Sequence, residues 1–501
     1  MRRSSSLAGA VFVLLLFLLI PLGFLYWMWG ENIIHSVVTT FREYGFFFIP
    51  AVIGMVLAGV LYFFDFRAGS AFVVAVGLIL GAVLSIPAEY NVKRGYYEAS
   101  TQTFSGTVTP SYEERAPFEV ASLTSDKNLM DITGNSQTTK SLPDEGKSGE
   151  WNTLVVERGW FKGYEVVQNL NVPLFGTAQN NNVEFCEFSD NAKLRNGGAV
   201  PSNNLSRAIY HETPMTVDFD SEDLYSYCNE DDEPVVVVPL KKITGFLYAR
   251  WVPYGVAVYN GKSGELKIVR DSDDISEIPG PTYPLSLAKT QRESLIANGS
   301  WTEMVIEQVS GYVEASENTE VALRRTDNKG SDYVTALMPR GSSTSIIATS
   351  SVTATGMTPG EYNELVVNLL PAKNVRPANS TLIDDLKTRY SYMPDMANDT
   401  IKVFEITAGK DGGWVMSLGR DQSVNYRAYV SSSGDKVELY DRNGNLMAEG
   451  SRSKEQDNEG TETGSSAPSI NFDGENLSEL SSEELNELGK AIMDEMAKRS
   501  K

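Results

Sequence analysis

Histidine and cysteine are scarce in this chain, which has two of each among 501 residues. His35 lies near a hydrophobic run and His211 lies far from it, so zinc sites built on two or more histidines are excluded. No G-x-S-x-G motif occurs either, which removes the usual signature of a serine hydrolase. The sequence therefore predicts no cofactor, no metal site and no catalytic residue. An enzyme would have to work with carboxylates or hydroxyls, as glycosidases do.

Basic residues are also few relative to acidic ones. The chain has 43 lysines and arginines against 65 aspartates and glutamates, a net charge of −22 and an isoelectric point near 4.7. No basic face offsets this charge, so a role in binding nucleic acid is excluded.

Two local patterns imitate functional motifs without completing them. Ser286 and Lys289 have the S-x-x-K spacing of penicillin-binding enzymes, but the companion motifs do not follow. An acidic segment lacks the spacing and the central glycine of an EF-hand, which favours a solvated loop over a calcium site; it contains Asp218, Asp220, Glu222 and Asp223.

Long hydrophobic runs are present, and all of them lie in the first fifth of the chain. They cover roughly residues 7–29, 46–64 and 71–87, and each is near the length of about 17–25 residues that crosses a bilayer as a helix. Tyr26, Trp27 and Trp29 stand where a cleavage site would need small residues, which favours an uncleaved anchor over the alternative of a secretory signal peptide. Residues 1–92 are thus predicted to form a three-helix transmembrane anchor in contact with the lipid bilayer.

Small residues recur at every fourth position in the second and third runs. This spacing lets helix backbones approach closely where no hydrophobic driving force exists. The predicted packing positions are Gly54, Ala58, Gly77, Gly81 and Ser85.

Between the first two runs the sequence has the pattern of a short amphipathic helix in the membrane interface. Ile33, Val37 and Phe41 fall on one helical face, opposite His35 and Thr39.

The orientation rests on few charges. Arg2 and Arg3 favour a cytoplasmic N-terminus, whereas Lys93 and Arg94 oppose it. The prediction is a multi-pass cell-membrane protein with its C-terminal region outside the cytoplasm. In that compartment Cys186 and Cys228 are expected to form a disulfide, with two buried free thiols as the alternative.

Composition divides the remaining chain into five segments. Residues 93–150 are predicted to be a stalk and flexible loop, 151–310 a β-rich α+β domain and 311–450 a second β-rich domain. Residues 451–477 are predicted to be a disordered acidic linker, and 478–501 an amphipathic helix. The predicted fold class is a membrane-anchored α+β protein whose antiparallel hairpins form a sandwich-like or barrel-like region.

Two stretches specify this β-structure clearly. Residues 235–238 are a continuous run of valines between prolines, typical of a strand buried on both faces. Asn260 and Gly261 tolerate the backbone of a tight turn, so residues 260–264 predict a hairpin between two strands.

The predicted C-terminal helix has an apolar stripe consisting of Leu485, Leu488, Ile492, Met493 and Met496. Since a polar linker separates it from the rest, this stripe is predicted to bind a protein partner or a second copy of the chain. Folding back onto its own domain is the alternative.

Three segments resemble membrane-anchored proteins of unassigned function encoded by actinobacteria and their phages. These are Arg158-Gly159-Trp160-Phe161-Lys162-Gly163-Tyr164, Pro279-Gly280-Pro281-Thr282-Tyr283-Pro284 with Ser286-Leu287-Ala288, and Pro339-Arg340-Gly341-Ser342. The resemblance implies an envelope protein and no particular chemistry.

The function predicted from the sequence is a membrane-anchored binding or structural protein of the cell envelope. Its acidic, β-rich ectodomain would face a protein partner or its own oligomer. The alternatives are a carbohydrate- or cell-wall-acting hydrolase that uses carboxylates, and a phage-encoded membrane protein that modifies the host surface.

Overall fold

The computed structural model describes residues 23, 26 and 28–447, with gaps at 106–109, 130–131, 133, 143–149, 177–182, 316–321, 328–329, 342–344, 372–374, 398–399 and 421–422. The chain divides into two units, Met1–Gly450 and Ser451–Lys501. The predicted linker and the predicted partner-binding stripe, Leu485, Leu488, Ile492, Met493 and Met496, lie outside the described residues, as does most of the first predicted membrane span.

Three consecutive helices begin the described chain. Helix α1 covers residues 28–43, α2 is Gly45–Phe63 and α3 is Arg67–Ser85. Within the described residues two helices, α2 and α3, are long and apolar enough to cross a membrane, where the sequence predicted three spans. Helix α1 follows the first predicted run, most of which lies outside the described residues, and residues 28–43 are too few to cross a bilayer.

Helices α2 and α3 pack through glycines in the predicted small-residue positions. A Cβ atom at Gly54 would lie 3.1 Å from the Cα of Gly77, and one at Gly81 would lie 2.9 Å from the carbonyl oxygen of Phe47. Ala58 is also buried, and the Ser85 hydroxyl donates a hydrogen bond to the Gly81 carbonyl oxygen at 2.8 Å. Backbone contact at this range leaves no room for a side chain between the helices.

The segment predicted to be a stalk and flexible loop, residues 93–150, differs in the structure. It contributes most of helix α4 (Ala88–Ser100), strand β1 (Thr101–Ser105), helix α5 (Phe118–Lys127) and strand β2 (Gly134–Ser141). Tyr96, Val120 and Ala121 are buried in cores shared with distant strands. The segment has few apolar residues, but other elements cover them, so its described part belongs to the folded body. Residues 143–149 of the predicted flexible loop lie outside the described residues.

Four antiparallel strands form sheet I in chain order: β2, β3 (Glu150–Glu157), β4 (Tyr164–Asn171) and β5 (Val183–Glu187). Sheet II has the order β10-β9-β8-β6, with β7 also paired to β8. Its strands are β6 (Val217–Asp218), β7 (Tyr225–Cys228), β8 (Pro234–Thr244), β9 (Arg250–Asn260) and β10 (Leu266–Val269). A 3-10 turn (Pro201–Asn203) and helix α6 (Leu205–Glu212) precede sheet II.

Strand β8 is buried on both faces, which confirms the prediction for residues 235–238. Val235 and Val237 belong to one core, whereas Val236 and Val238 belong to another that includes Leu154 of sheet I. The predicted hairpin is also present, since β9 and β10 are joined through residues 261–265.

Sheet III has the order β1-β16-β15-β13-β11, with β12 also beside β13. Its later strands are β11 (Tyr312–Glu314), β12 (Leu323–Arg324), β13 (Ser331–Pro339), β15 (Ala348–Thr353) and β16 (Leu365–Leu369). Only β1 and β16 pair in parallel among these described strands. Helices α7 (Ser272–Ser276) and α8 (Leu285–Glu293), a 3-10 turn (Ser294–Asn298) and a π-helical turn (Glu303–Glu307) connect sheets II and III.

The last described region contains a two-stranded pair and sheet IV. The pair is β14 (Ser345–Ile346) with β17 (Arg376–Pro377). Helices α9 (Asn379–Arg389) and α10 (Pro394–Ala397) lead into the antiparallel meander β18 (Lys402–Ala408), β19 (Trp414–Arg420), β20 (Ser423–Val430) and β21 (Val437–Asp441). A 3-10 turn, Lys410–Gly412, joins β18 and β19.

The core between sheets II and III crosses the predicted domain boundary at residues 310 and 311. Tyr283 and Leu295 on one side share it with Leu337 and Leu365 on the other. Residues 151–310 and 311–450 therefore lie in one compact unit. The described chain is an α+β protein whose β-rich region consists of mostly antiparallel sheets.

Cys186 and Cys228 form a disulfide between β5 of sheet I and β7 of sheet II, with their Cα atoms 6.0 Å apart. The predicted pairing of the two cysteines is thus present.

Candidate functional site

Helix α1 contacts the folded body through its polar face. The Nδ1 atom of His35 lies 3.1 Å from the carbonyl oxygen of Val217, and the imidazole stacks on Tyr210 with ring centroids 4.3 Å apart. His35 and Thr39 are both buried. The polar side chains predicted to face water are thus covered by sheet II and α6.

The apolar face of α1 points away from the folded body. Ile33 is 49% exposed, Val37 61% and Phe41 38%. This is the reverse of a helix in a water-soluble protein, which buries its apolar stripe against the core. The exposed stripe leads directly into the membrane-length helix α2.

The turn between β8 and β9, residues 245–249, lies against the ends of both long helices. The Tyr248 hydroxyl donates a hydrogen bond to the Leu84 carbonyl oxygen near the end of α3, at 3.4 Å. Its ring stacks on Phe46 in the first turn of α2, with centroids 6.2 Å apart. Phe246, at the tip of this turn, is 71% exposed. The turn therefore holds sheet II against the ends of helices α2 and α3.

A cavity of about 890 Å³ lies where these elements meet. It is bounded by the end of α1, the start of α2, the end of α3, helices α4 and α8, and strands β8 and β9. Its aromatic lining consists of Tyr44, Phe46, Phe47, Phe48, Tyr96 and Trp251. We call it the junction cavity.

Two hydrogen bonds hold the backbone of Trp251 in the cavity wall. Its N–H donates to the Tyr96 hydroxyl at 2.6 Å, and its carbonyl oxygen accepts from the Tyr362 hydroxyl at 2.9 Å. Arg250 also donates to the Gly95 carbonyl oxygen. Burial raises the pKa of the Tyr96 hydroxyl, which keeps it neutral and able to hold this position.

The polar lining of the junction cavity consists of Thr40, Glu43, Ser85, Glu89, Lys241, Thr290 and Glu293. The Lys241 ammonium is already paired, because it donates to Asp220 and lies 5.2 Å above the ring of Trp251. Glu89 pairs with Lys93 at 3.0 Å.

Glu43 and Glu293 differ from Lys241 and Glu89 in their ion pairing. Within the described part of the chain, neither of them forms a salt bridge. Burial raises the pKa of the Glu43 carboxyl, Lys241 opposes the shift, and Asp218 and Asp220 add to it. The cavity lining thus combines aromatic side chains with an excess of negative charge.

The sequence-level motif around Ser286 has a structural role. The Asp223 carboxylate accepts hydrogen bonds from the Ser286 backbone N–H at 2.8 Å and from its hydroxyl at 2.6 Å, which caps the start of α8. Lys289 pairs instead with Glu222 at 2.6 Å. Lys241 lies 3.3 Å from the Ser286 hydroxyl, but it donates to that oxygen and so does not take its proton.

The acidic segment at β6 and the loop after it also has internal partners. Asp218 accepts from the Tyr210 hydroxyl at 2.5 Å, Asp220 from Lys241 and Asp223 from Ser286. No group of three or more metal-ligating side chains occurs among the described residues.

Of the residues predicted to form sites, the structure brings together the two cysteines and the small residues of α2 and α3. Ser85 has a second position, since it also lines the junction cavity. Sequence reasoning missed the cavity because its residues come from seven separate elements. The one local signal was Glu43, a carboxylate directly before a membrane-length apolar run.

In comparisons with known proteins, no family profile, no curated protein and no solved structure matches this chain.

Proposed function

We propose that this chain is a membrane-anchored binding protein of the cell envelope whose folded body rests directly on the bilayer surface. The predicted run at residues 7–29 crosses the membrane first, from the cytoplasm, α1 lies in the outer interface, and α2 and α3 cross as a hairpin, so the body is held outside the cytoplasm. The interaction with a protein partner or a second copy, predicted from the C-terminal stripe, belongs to the same proposal.

One observation carries this proposal, namely the outward apolar face of α1. Leaving Ile33, Val37 and Phe41 in water would cost free energy, because burying one such side chain is worth about 1.5–3 kcal/mol. Lipid contact removes that cost. An interfacial helix with its apolar face in the acyl region and its polar face on protein meets both requirements.

The turn at residues 245–249 supports the same placement. Phe246 is exposed beside the start of α2 and the end of α3. If α2 and α3 span the bilayer, this residue lies at the level of the lipid headgroups. Aromatic residues are favoured there.

The orientation follows from the N-terminal arginines and the disulfide. Arg2 and Arg3 favour a cytoplasmic N-terminus. The Cys186–Cys228 disulfide favours an oxidising compartment for the folded body. Both indications lead to the same side.

Fluorophore labelling tests the placement. Single-cysteine variants Val37→Cys and Phe246→Cys, labelled with an environment-sensitive dye in liposomes, should show blue-shifted emission that brominated lipids quench. Lys262→Cys, on the exposed β9–β10 turn, is the matched control and should show neither effect. The unsubstituted chain should not label, because its cysteines are bridged.

The same control variant reports orientation in intact cells. A membrane-impermeant thiol reagent should reach Lys262→Cys without lysis. Water-like emission at positions 37 and 246 would contradict the interfacial placement, whereas labelling only after lysis would contradict the orientation alone.

A further inference from the structure

The junction cavity lies beside the ends of α2 and α3, so it borders the lipid if these helices span the bilayer as proposed above. Its wall includes Phe46, Phe47 and Phe48 from the first turn of α2 and Ser85 from the last turn of α3. These residues mark the level at which acyl chains give way to headgroups. A molecule that entered the cavity from the membrane would not have to cross water.

The apolar lining of the cavity suits a hydrocarbon chain. It consists of the three phenylalanines together with Val92 and Trp251. A volume of about 890 Å³ lies within the range of about 300–1,000 Å³ that is usual for small-molecule sites.

The polar lining suits a cation. Glu43 and Glu293 lack a salt-bridge partner among the described residues, whereas the one lysine of the lining, Lys241, is occupied by Asp220 and Ser286. An anionic headgroup would meet these carboxylates without a free counter-charge. A protonated amine would pair with them through charge-assisted hydrogen bonds.

We propose that the junction cavity binds a membrane amphiphile that has an alkyl chain and a positively charged amine headgroup. The chain lies against Phe46–Phe48 and Trp251, and the amine lies between Glu43 and Glu293. This proposal deepens the proposed function and rests on its membrane placement.

Photolabelling of the full chain in lipid nanodiscs tests the proposal. The probe is a dodecylamine that carries a diazirine in its chain, and mass spectrometry locates the labelled residues. We expect labels on the aromatic lining of the cavity. Dodecyltrimethylammonium should compete with this label, whereas dodecyl sulfate and dodecyl maltoside of equal chain length should not.

Substitutions test the contacts of the amine headgroup and those of the alkyl chain separately. Glu43→Gln and Glu293→Gln should each weaken competition by the ammonium about tenfold, the factor that corresponds to the loss of one charged contact of about 1.4 kcal/mol. Ala249→Trp should abolish labelling of the cavity because it fills the buried wall. Glu277→Gln is the matched control, since Glu277 is exposed and does not line the cavity. All four variants should keep the melting temperature of the parent protein within a few degrees.

The outcomes distinguish this inference from the proposed function. Equal competition by the sulfate and the ammonium, or no effect of either glutamate substitution, would overturn the amine assignment. Labelling spread along α2 and α3 but absent from the cavity would overturn the site while supporting the membrane placement. Absence of label from α2 and α3 altogether would contradict the membrane placement itself.

Discussion

Replacing Glu405 by glutamine tests whether the predicted stalk is part of the fold. Arg115, within residues 93–150, donates two hydrogen bonds to the Glu405 carboxylate of β18, at 2.7 and 2.9 Å. The two side chains are only 6% and 7% exposed. The Arg115 guanidinium also lies 5.1 Å from the ring of Trp151 in sheet I. One side chain thus ties the segment to two sheets.

The expected loss of stability follows from the burial of this ion pair. Glu405→Gln keeps the shape of the side chain but leaves the Arg115 charge without its counter-ion, a change that costs about 3–5 kcal/mol for a buried pair. The folded body from residue 88 to residue 447 has about 360 residues. If it unfolds as one unit, its entropy of unfolding is about 0.75 kcal/mol per kelvin. The expected drop in melting temperature is therefore about 5 °C.

An exposed ion pair on the same strand provides the control. Lys402 of β18 pairs with Glu119 of α5 at 2.6 Å, but the side chains are 57% and 38% exposed. Glu119→Gln should cost less than about 1 kcal/mol, because solvent screens such pairs. Replacing both Arg115 and Glu405 by methionine should restore part of the stability, since no buried charge is then left unpaired.

Thermal unfolding of the full chain, followed by tryptophan fluorescence, gives the melting temperatures, and hydrogen exchange reports on residues 112–127. In Glu405→Gln these residues should exchange faster. If Glu405→Gln and Glu119→Gln lower the melting temperature equally little, the segment is not held by the buried pair. The reasoning that makes it part of the core would then be refuted.

Three further predictions concern separate parts of the chain. Burial raises the pKa of Asp223 to about 6, so the folded state binds the Asp223 proton more tightly than the unfolded chain does. The stabilisation from this proton is complete below the ordinary carboxyl pKa of about 4 and is lost as the pH rises to about 6. Thermal melts of Asp223→Asn should therefore fall less steeply over that interval than those of the parent, and equal slopes would contradict the shift. Gly77→Val should separate the helix hairpin and lower its melting temperature in detergent, since a Cβ there lies 2.8 Å from a backbone oxygen, whereas Gly59→Val, with nothing within 4 Å, should not. Leu488→Asp with Ile492→Asp should release a partner or dissociate an oligomer, as seen by light scattering, while the main thermal transition stays unchanged; its loss would show that the helix packs on its own domain.

Local chemistry was enough to predict several elements. Residues 235–238 form a buried strand because a run of valines has no polar face to offer to water. The turn after Asn260 forms because the carboxamide oxygen of Asn260 accepts hydrogen bonds from the backbone N–H groups of Lys262 and Ser263. The hydrophobic length of α2 and α3 is likewise a local property, as is the four-residue spacing from Gly54 to Ala58 and from Gly77 to Gly81.

The predicted stalk shows where such reasoning stops. Residues 93–150 have too few apolar side chains to suggest a core, yet Tyr96 and Val120 are buried. Their partners are far away in sequence, and Glu405 is 290 residues from Arg115. No local pattern carries that information, because burial of one side chain depends on every element that covers it.

The sequence by itself determined where this chain is hydrophobic enough to cross a membrane, where its strands turn and which cysteines can pair. The tertiary structure decided which face of α1 is covered, which carboxylates find a partner and where a cavity remains. The amphipathic pattern of α1 is the same whichever side is buried, since helical periodicity separates two faces without assigning either one. Only the position of Val217 and Tyr210 against His35 leaves the apolar face outward. Likewise, Glu43 and Asp220 are both acidic residues in the sequence, but Lys241 reaches Asp220, and Glu43 is left facing the cavity.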